Sequence, residues 1–112
     1  MTQPLPRPLP AALAAYFAAK NRHDIDAMLL PFSDDATVRD EGEAMRGSVE
    51  IRIWMEETTR KYRVTAEVQN FDRDGENYRV AARVSGSFPG SPVVLHYQFG
   101  LTNDRISHLE IG

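Results

Sequence analysis

The sequence predicts an α+β fold, with helices first and a curved antiparallel sheet wrapped around them. Three observations predict it. Apolar residues recur at helical spacing as far as Tyr62. Beyond Tyr62 they alternate with a period of two. Reversal signals then separate the alternating runs at Asp74-Gly75, Pro89-Gly90-Ser91-Pro92 and Asn103-Asp104.

The first helix is predicted over Pro10–Arg22. Proline suits a first turn because its missing N–H would be unpaired there anyway. Leu9, Leu13, Tyr16 and Phe17 form its inward stripe, and alanines fill most of the rest. Asn21-Arg22-His23-Asp24 breaks the pattern. Asp24 then caps a short second helix that buries Ile25, Met28, Leu29 and Phe32 and is limited by Pro31.

Ser33-Asp34-Asp35 reads as a turn and Ala36–Arg39 as a short strand. Asp40–Arg46 reads as a polar loop. Ser48 should cap a third helix running to about Tyr62, with Ile51, Trp54, Met55, Thr58 and Tyr62 inward. On its wet side, Glu56–Arg60 and Glu57–Lys61 stand at the spacing that favours ion pairs.

In the sheet, Val64, Ala66 and Val68 face one way. Tyr78, Val80, Ala82, Val84, Gly86 and Phe88 line one face of a long strand, and Gly86 marks a bend. Val93, Leu95, Tyr97, Phe99 and Leu101 line the next, and Arg105–Ile111 is the last. A helical layer on the concave side leaves room for a pocket, where ligands commonly bind.

Composition narrows the function. The 112 residues suit one domain, residues 1–112, with 1–8 as an extended Pro-rich arm. Net charge is −3 and the 13 Lys and Arg are scattered, which argues against nucleic-acid binding. No apolar run reaches the roughly 20 residues of a membrane helix. The start of the chain lacks a signal-peptide layout. The absence of cysteine suits a reducing compartment, so a cytoplasmic location is expected. His23 and His108 read as surface residues and His96 as facing away from the pocket. Three isolated histidines make poor metal ligands, so no metal is expected. There is no phosphate-binding glycine loop and no nucleophile elbow.

Asp24-Ile25-Asp26, Phe32-Ser33-Asp34-Asp35-Ala36-Thr37-Val38 and the closing Phe99–Ile106 run are together similar to the nuclear transport factor 2-like superfamily. That group has a cystatin-like cone of mixed or antiparallel sheet around three helices. It includes SnoaL-like polyketide cyclases, ketosteroid isomerases, scytalone dehydratases and limonene epoxide hydrolases. The resemblance spans about Leu9 to Ile111. It implies a small-molecule enzyme without a cofactor, often dimeric.

Asp34-Asp35-Ala36-Thr37-Val38-Arg39-Asp40 most resembles a ketosteroid isomerase motif whose last Asp abstracts a proton. The resemblance gives that role to Asp40 and an oxyanion-donor role to Tyr16. Tyr97 stands where those enzymes carry a second acid, and Glu41 where they carry proline. Enolisation needs a base near the C–H and donors near the developing oxyanion, which a carboxylate and phenols can supply.

The expected catalytic set is Asp40, Tyr16 and Tyr97, with walls of Phe17, Met28, Phe32, Trp54, Phe88 and Phe99. The ligand is then a small hydrophobic carbonyl compound, handled by an isomerase, cyclase or dehydratase. A non-catalytic binding or interaction domain is the other reading, in which Asp40 is a solvated acid and the tyrosines are core. Either suits a homodimer through the outer sheet face of Ala81, Ser85, Val94, His96 and Gln98.

Overall fold

The computed structural model describes residues 8–112, so most of the arm expected over 1–8 lies outside the described residues. Helix α1 spans Ala11–Asn21, α2 Ile25–Leu29 and α3 Gly47–Tyr62. The strands are β1 Phe32–Asp40, β2 Glu43–Arg46, β3 Thr65–Asp74, β4 Asn77–Ser85, β5 Val93–Thr102 and β6 Arg105–Ile111. They form one six-stranded sheet in the order β2-β1-β6-β5-β4-β3. All neighbours are antiparallel except β1 and β6, which run parallel.

The core is the predicted one in most respects. Leu13, Tyr16 and Phe17 of α1, Ile51, Trp54 and Met55 of α3, and Val80, Ala82, Val84, Tyr97 and Phe99 of the sheet are buried together. Asp24 caps α2 by accepting from the Ala27 N–H at 3.1 Å. Among the described residues no helix is long and apolar enough to cross a membrane.

Several local expectations give way. Phe32 opens β1 instead of closing α2, and Ser33-Asp34-Asp35 lie within that strand, where the pairing with β6 shifts register between Phe32 and Thr37. The irregularity absorbs the polar residues that read as a turn. The Asp40–Arg46 loop is instead a hairpin: Asp40 pairs with Glu43 across Glu41 (φ 53) and Gly42 (φ 79). Two positive φ values in a two-residue loop match the twist of the flanking strands. Glu-Gly is a weak signal for that turn, whereas Asp-Gly is a strong one.

Ser48 does not cap α3; the Arg46 N–H at its start donates to Glu50 Oε1 at 2.9 Å. The Glu56–Arg60 and Glu57–Lys61 pairs are absent among the described ion pairs, and α3 is linked instead through Arg52 to Asp26 of α2 at 2.8 Å. Strand β4 ends at Ser85, short of Gly86 and Phe88. A Cβ on Gly86 would sit 2.6 Å from the Tyr62 carbonyl oxygen, so only glycine lets the chain leave β4 beside the end of α3.

His23 is half-buried, and its Nε2–H donates to the Val64 carbonyl at 2.9 Å. Beside it the Asn21 amide donates to the Ala66 carbonyl at 2.9 Å and accepts from its N–H at 2.7 Å. Both side chains pair with backbone groups at the start of β3, Val64 just before it and Ala66 within it, and moor the end of α1 there.

Candidate functional site

A cavity of about 440 Å³ lies between α3 and the concave face of the sheet. Val84, Val93, Leu95 and Ile111 of the sheet give it apolar walls, joined by Trp54, Thr58 and Tyr62 of α3 and by Phe88 and Pro89 of the β4–β5 connection. Besides Thr58 and Tyr62, polar side chains reach this space from three other elements: Asp40 at the end of β1, Tyr97 on β5 and Lys20 on α1. Glu41, exposed, marks the rim.

Asp40 reaches the cavity because β1 ends there and the tight Glu41-Gly42 turn carries the backbone away. It is half-buried. The indole N–H of Trp54 donates to its Oδ2 at 3.0 Å. Its other oxygen has no protein donor among the described residues. Glu41 itself sits at φ 53. Proline, fixed near −65°, cannot occupy that position.

Tyr97 is buried, stacks on Phe99 with ring centroids 6.2 Å apart, and meets Phe17 edge to face at 5.2 Å. Tyr16 lies one layer deeper. It is fully buried, outside the cavity lining, and its hydroxyl has no hydrogen-bond partner among the described residues. Burial pushes the Tyr16 phenol well above the usual range, and the neighbouring Tyr97 and Asp40 push it the same way. Burial, then the charge of Asp40, raises Tyr97 too. Both phenols are therefore neutral donors at neutral pH.

Of the expected walls, Trp54 and Phe88 line the cavity. Phe17, Met28, Phe32 and Phe99 do not: they are packed in the core, with Phe17, Phe32 and Phe99 each edge to face with Tyr16. Aromatic residues on an inward face fill the centre of a small core before they line a cavity near its edge.

Lys20 escaped the sequence reading. It is 7% exposed, and its ammonium lies 5.7 Å from the Tyr16 ring centroid and 6.0 Å from that of Tyr97. Burial lowers its pKa from 10.5 to about 8, an effect partly offset by the charge of Asp40. The signal was present: 13, 16, 17 and 20 continue one helical stripe. A lysine at the end of a helix reads by default as solvated. Among the described residues no three His, Asp or Glu side chains gather to hold a metal ion.

The family model of the SnoaL-like domain matches residues 13–108. The chain belongs to the SnoaL-like domain family. A crystal structure of a Sinorhizobium meliloti protein, provisionally named a polyketide cyclase, is 40% identical to it. The match covers 93% of this chain and 95% of that one, with a TM-score of 0.90. A Catenulispora acidiphila protein with a ketosteroid isomerase-like fold, solved with trimethylamine, is 20% identical over 94% of this chain and 86% of its own, with a TM-score of 0.82. SalBIII, an epoxide hydrolase/cyclase-like enzyme of pyran ring formation in salinomycin, is 22% identical over 89% and 85%, with a TM-score of 0.77. The last two likenesses establish the shared fold. No curated protein sequence matches this SnoaL-like chain.

Proposed function

We propose that this SnoaL-like protein is a cofactor-independent acid–base enzyme, an isomerase, cyclase or dehydratase acting on a small hydrophobic carbonyl compound. Asp40 takes a proton from carbon next to the carbonyl. Tyr97 donates to the oxygen that becomes negative; Tyr16, expected as a second donor, lies behind the cavity wall. The observation that supports this most is the Trp54–Asp40 hydrogen bond of 3.0 Å at an apolar cavity. A carboxylate held by one oxygen keeps the other for a substrate, and low polarity strengthens each interaction with developing charge. The 40% identical protein named for polyketide cyclases points to the same class of substrate.

The test is exchange of the α-protons of hydrophobic enones and 1,3-diketones in deuterated water, followed by NMR. It reads proton abstraction without knowledge of the product. Wild-type protein should accelerate exchange, and Asp40→Asn should remove about 10²- to 10⁴-fold of the rate. Unchanged exchange in a folded Asp40→Asn protein would remove Asp40 from the mechanism. The alternative is that the same cavity binds such compounds without catalysis. On that reading the compounds bind and no exchange is accelerated.

The proposal keeps two further expectations, a cytoplasmic location and a homodimer through the outer sheet face. On that face Ala81 pairs with His96, and Arg83 with Val94, which is 50% exposed. Sedimentation showing only monomer at micromolar concentration would count against the dimer.

A further inference from the structure

Lys20 is the single charged side chain buried among the described residues. Its ammonium makes neither a hydrogen bond nor an ion pair with another described residue. It lies over the faces of the Tyr16 and Tyr97 rings. Cation–π contact offsets only part of the loss of hydration. Asp40 acts on it electrostatically but is not within ion-pair distance, and Trp54 holds one of the carboxylate oxygens. A buried cation that lines an apolar cavity without an anion of its own is suited to receive one from a ligand.

We propose that Lys20 is the anion-holding residue of this cavity and that its ligand is an apolar ring or chain bearing an acidic oxygen, a carboxylate or an enolate. The apolar walls take the body of the ligand, and the ammonium and the Tyr97 hydroxyl converge on its oxygen. The inference rests on the reading of the cavity as a ligand site and supplies its substrate class. If Asp40 removes a proton, the carboxylic acid formed is neutral and the enolate left behind pairs with Lys20. Charge is conserved and no co-reactant is needed. On this view the electrophilic partner of Asp40 is chiefly the lysine, with Tyr97 assisting.

Calorimetric titration with 2-naphthoate and with the isosteric neutral 2-naphthamide tests this without turnover. Wild-type protein should prefer the carboxylate by about 10- to 100-fold, the range of a hydrogen bond to a charged group. Lys20→Met should lose the preference yet still bind the amide, and Lys20→Arg should keep part of it. The wild-type preference should also fall between about pH 7 and pH 9. The titratable groups that share the cavity or its back wall with Lys20 are Asp40 at the end of β1, Glu41 in the turn after it, Tyr62 of α3, Tyr97 of β5 and Tyr16 on its own helix. Burial lowers Lys20 into that range and raises Tyr16 and Tyr97 away from it, so the change reports the lysine.

Equal affinity of wild-type protein for the two compounds, or an undiminished preference in Lys20→Met, overturns the proposal. The pH series on wild-type protein decides the matter even where a variant fails to fold. If Asp40→Asn abolishes proton exchange while naphthoate binding ignores Lys20, the anion site fails and the acid–base reading stands. The opposite pair of results fails the acid–base reading alone.

Discussion

The indole N–H of Trp54 donates to Asp40 Oδ2 across 3.0 Å, joining the middle of α3 to the last residue of β1. Trp54 is thus both a wall of the cavity and the clamp that orients its carboxylate. In Trp54→Phe the ring remains and the donor is lost. The expected loss of stability is about 1–2 kcal/mol by urea denaturation. Proton exchange should fall by about ten- to a hundredfold as the carboxylate loses its aim. A double-mutant cycle with Asp40→Asn should show the two effects to be non-additive, whereas additive losses would mean that Trp54 acts through packing alone.

Lys20 makes stability depend on alkaline pH. Its pKa is 10.5 when unfolded and about 8 when folded. Between those values the unfolded chain holds a proton that the folded chain has released, so stability rises with pH. Going from about pH 8 to pH 10 should add about 2 kcal/mol. Above pH 10 the trend reverses, because Tyr16 and Tyr97 are raised and the unfolded phenols ionise first. Denaturation curves across that range check the sign, and Lys20→Met should abolish the rise. The same variant should be more stable at pH 7, by about 1–3 kcal/mol, since an unpaired buried cation is replaced by an apolar chain of similar length.

Gly86 tests the junction of β4 with α3. A methyl group there meets the Tyr62 carbonyl oxygen at 2.6 Å and Val64 Cγ1 at 2.8 Å. The first is backbone, held in addition by the Ser87 N–H at 2.7 Å, and cannot swing aside. Gly86→Ala should therefore destabilise the protein by about 1–3 kcal/mol, read as a lower melting temperature. Because Tyr62 and Phe88 line the cavity on either side of this junction, affinity for naphthamide should drop as well.

Much of the fold was legible locally. The stripe of Leu13, Tyr16 and Phe17, the Asp24 cap and the alternation of Val80, Ala82 and Val84 follow from helix and strand periods that each segment carries in itself. The misread places are those where a neighbour decides. Ser33-Asp34-Asp35 looks like a turn until β6 pairs beside it, and Glu41-Gly42 turns tightly only because β2 has a strand to return along. Asp40 was found at the cavity because a strand end next to a polar run is visible in sequence.

By itself the sequence determined the order of helices and strands except β2, most inward faces, and a carboxylate and two phenols on or behind a concave sheet. Only the tertiary structure decided that β1 lies parallel to β6, that Phe17, Met28, Phe32 and Phe99 fill the core, and that Trp54 grips Asp40. It also decided that Lys20 is buried against Tyr16 and Tyr97. Periodicity states which way a side chain points, a property of a few consecutive residues. What it meets there depends on segments tens of residues away, and burial of a charge is set by that meeting.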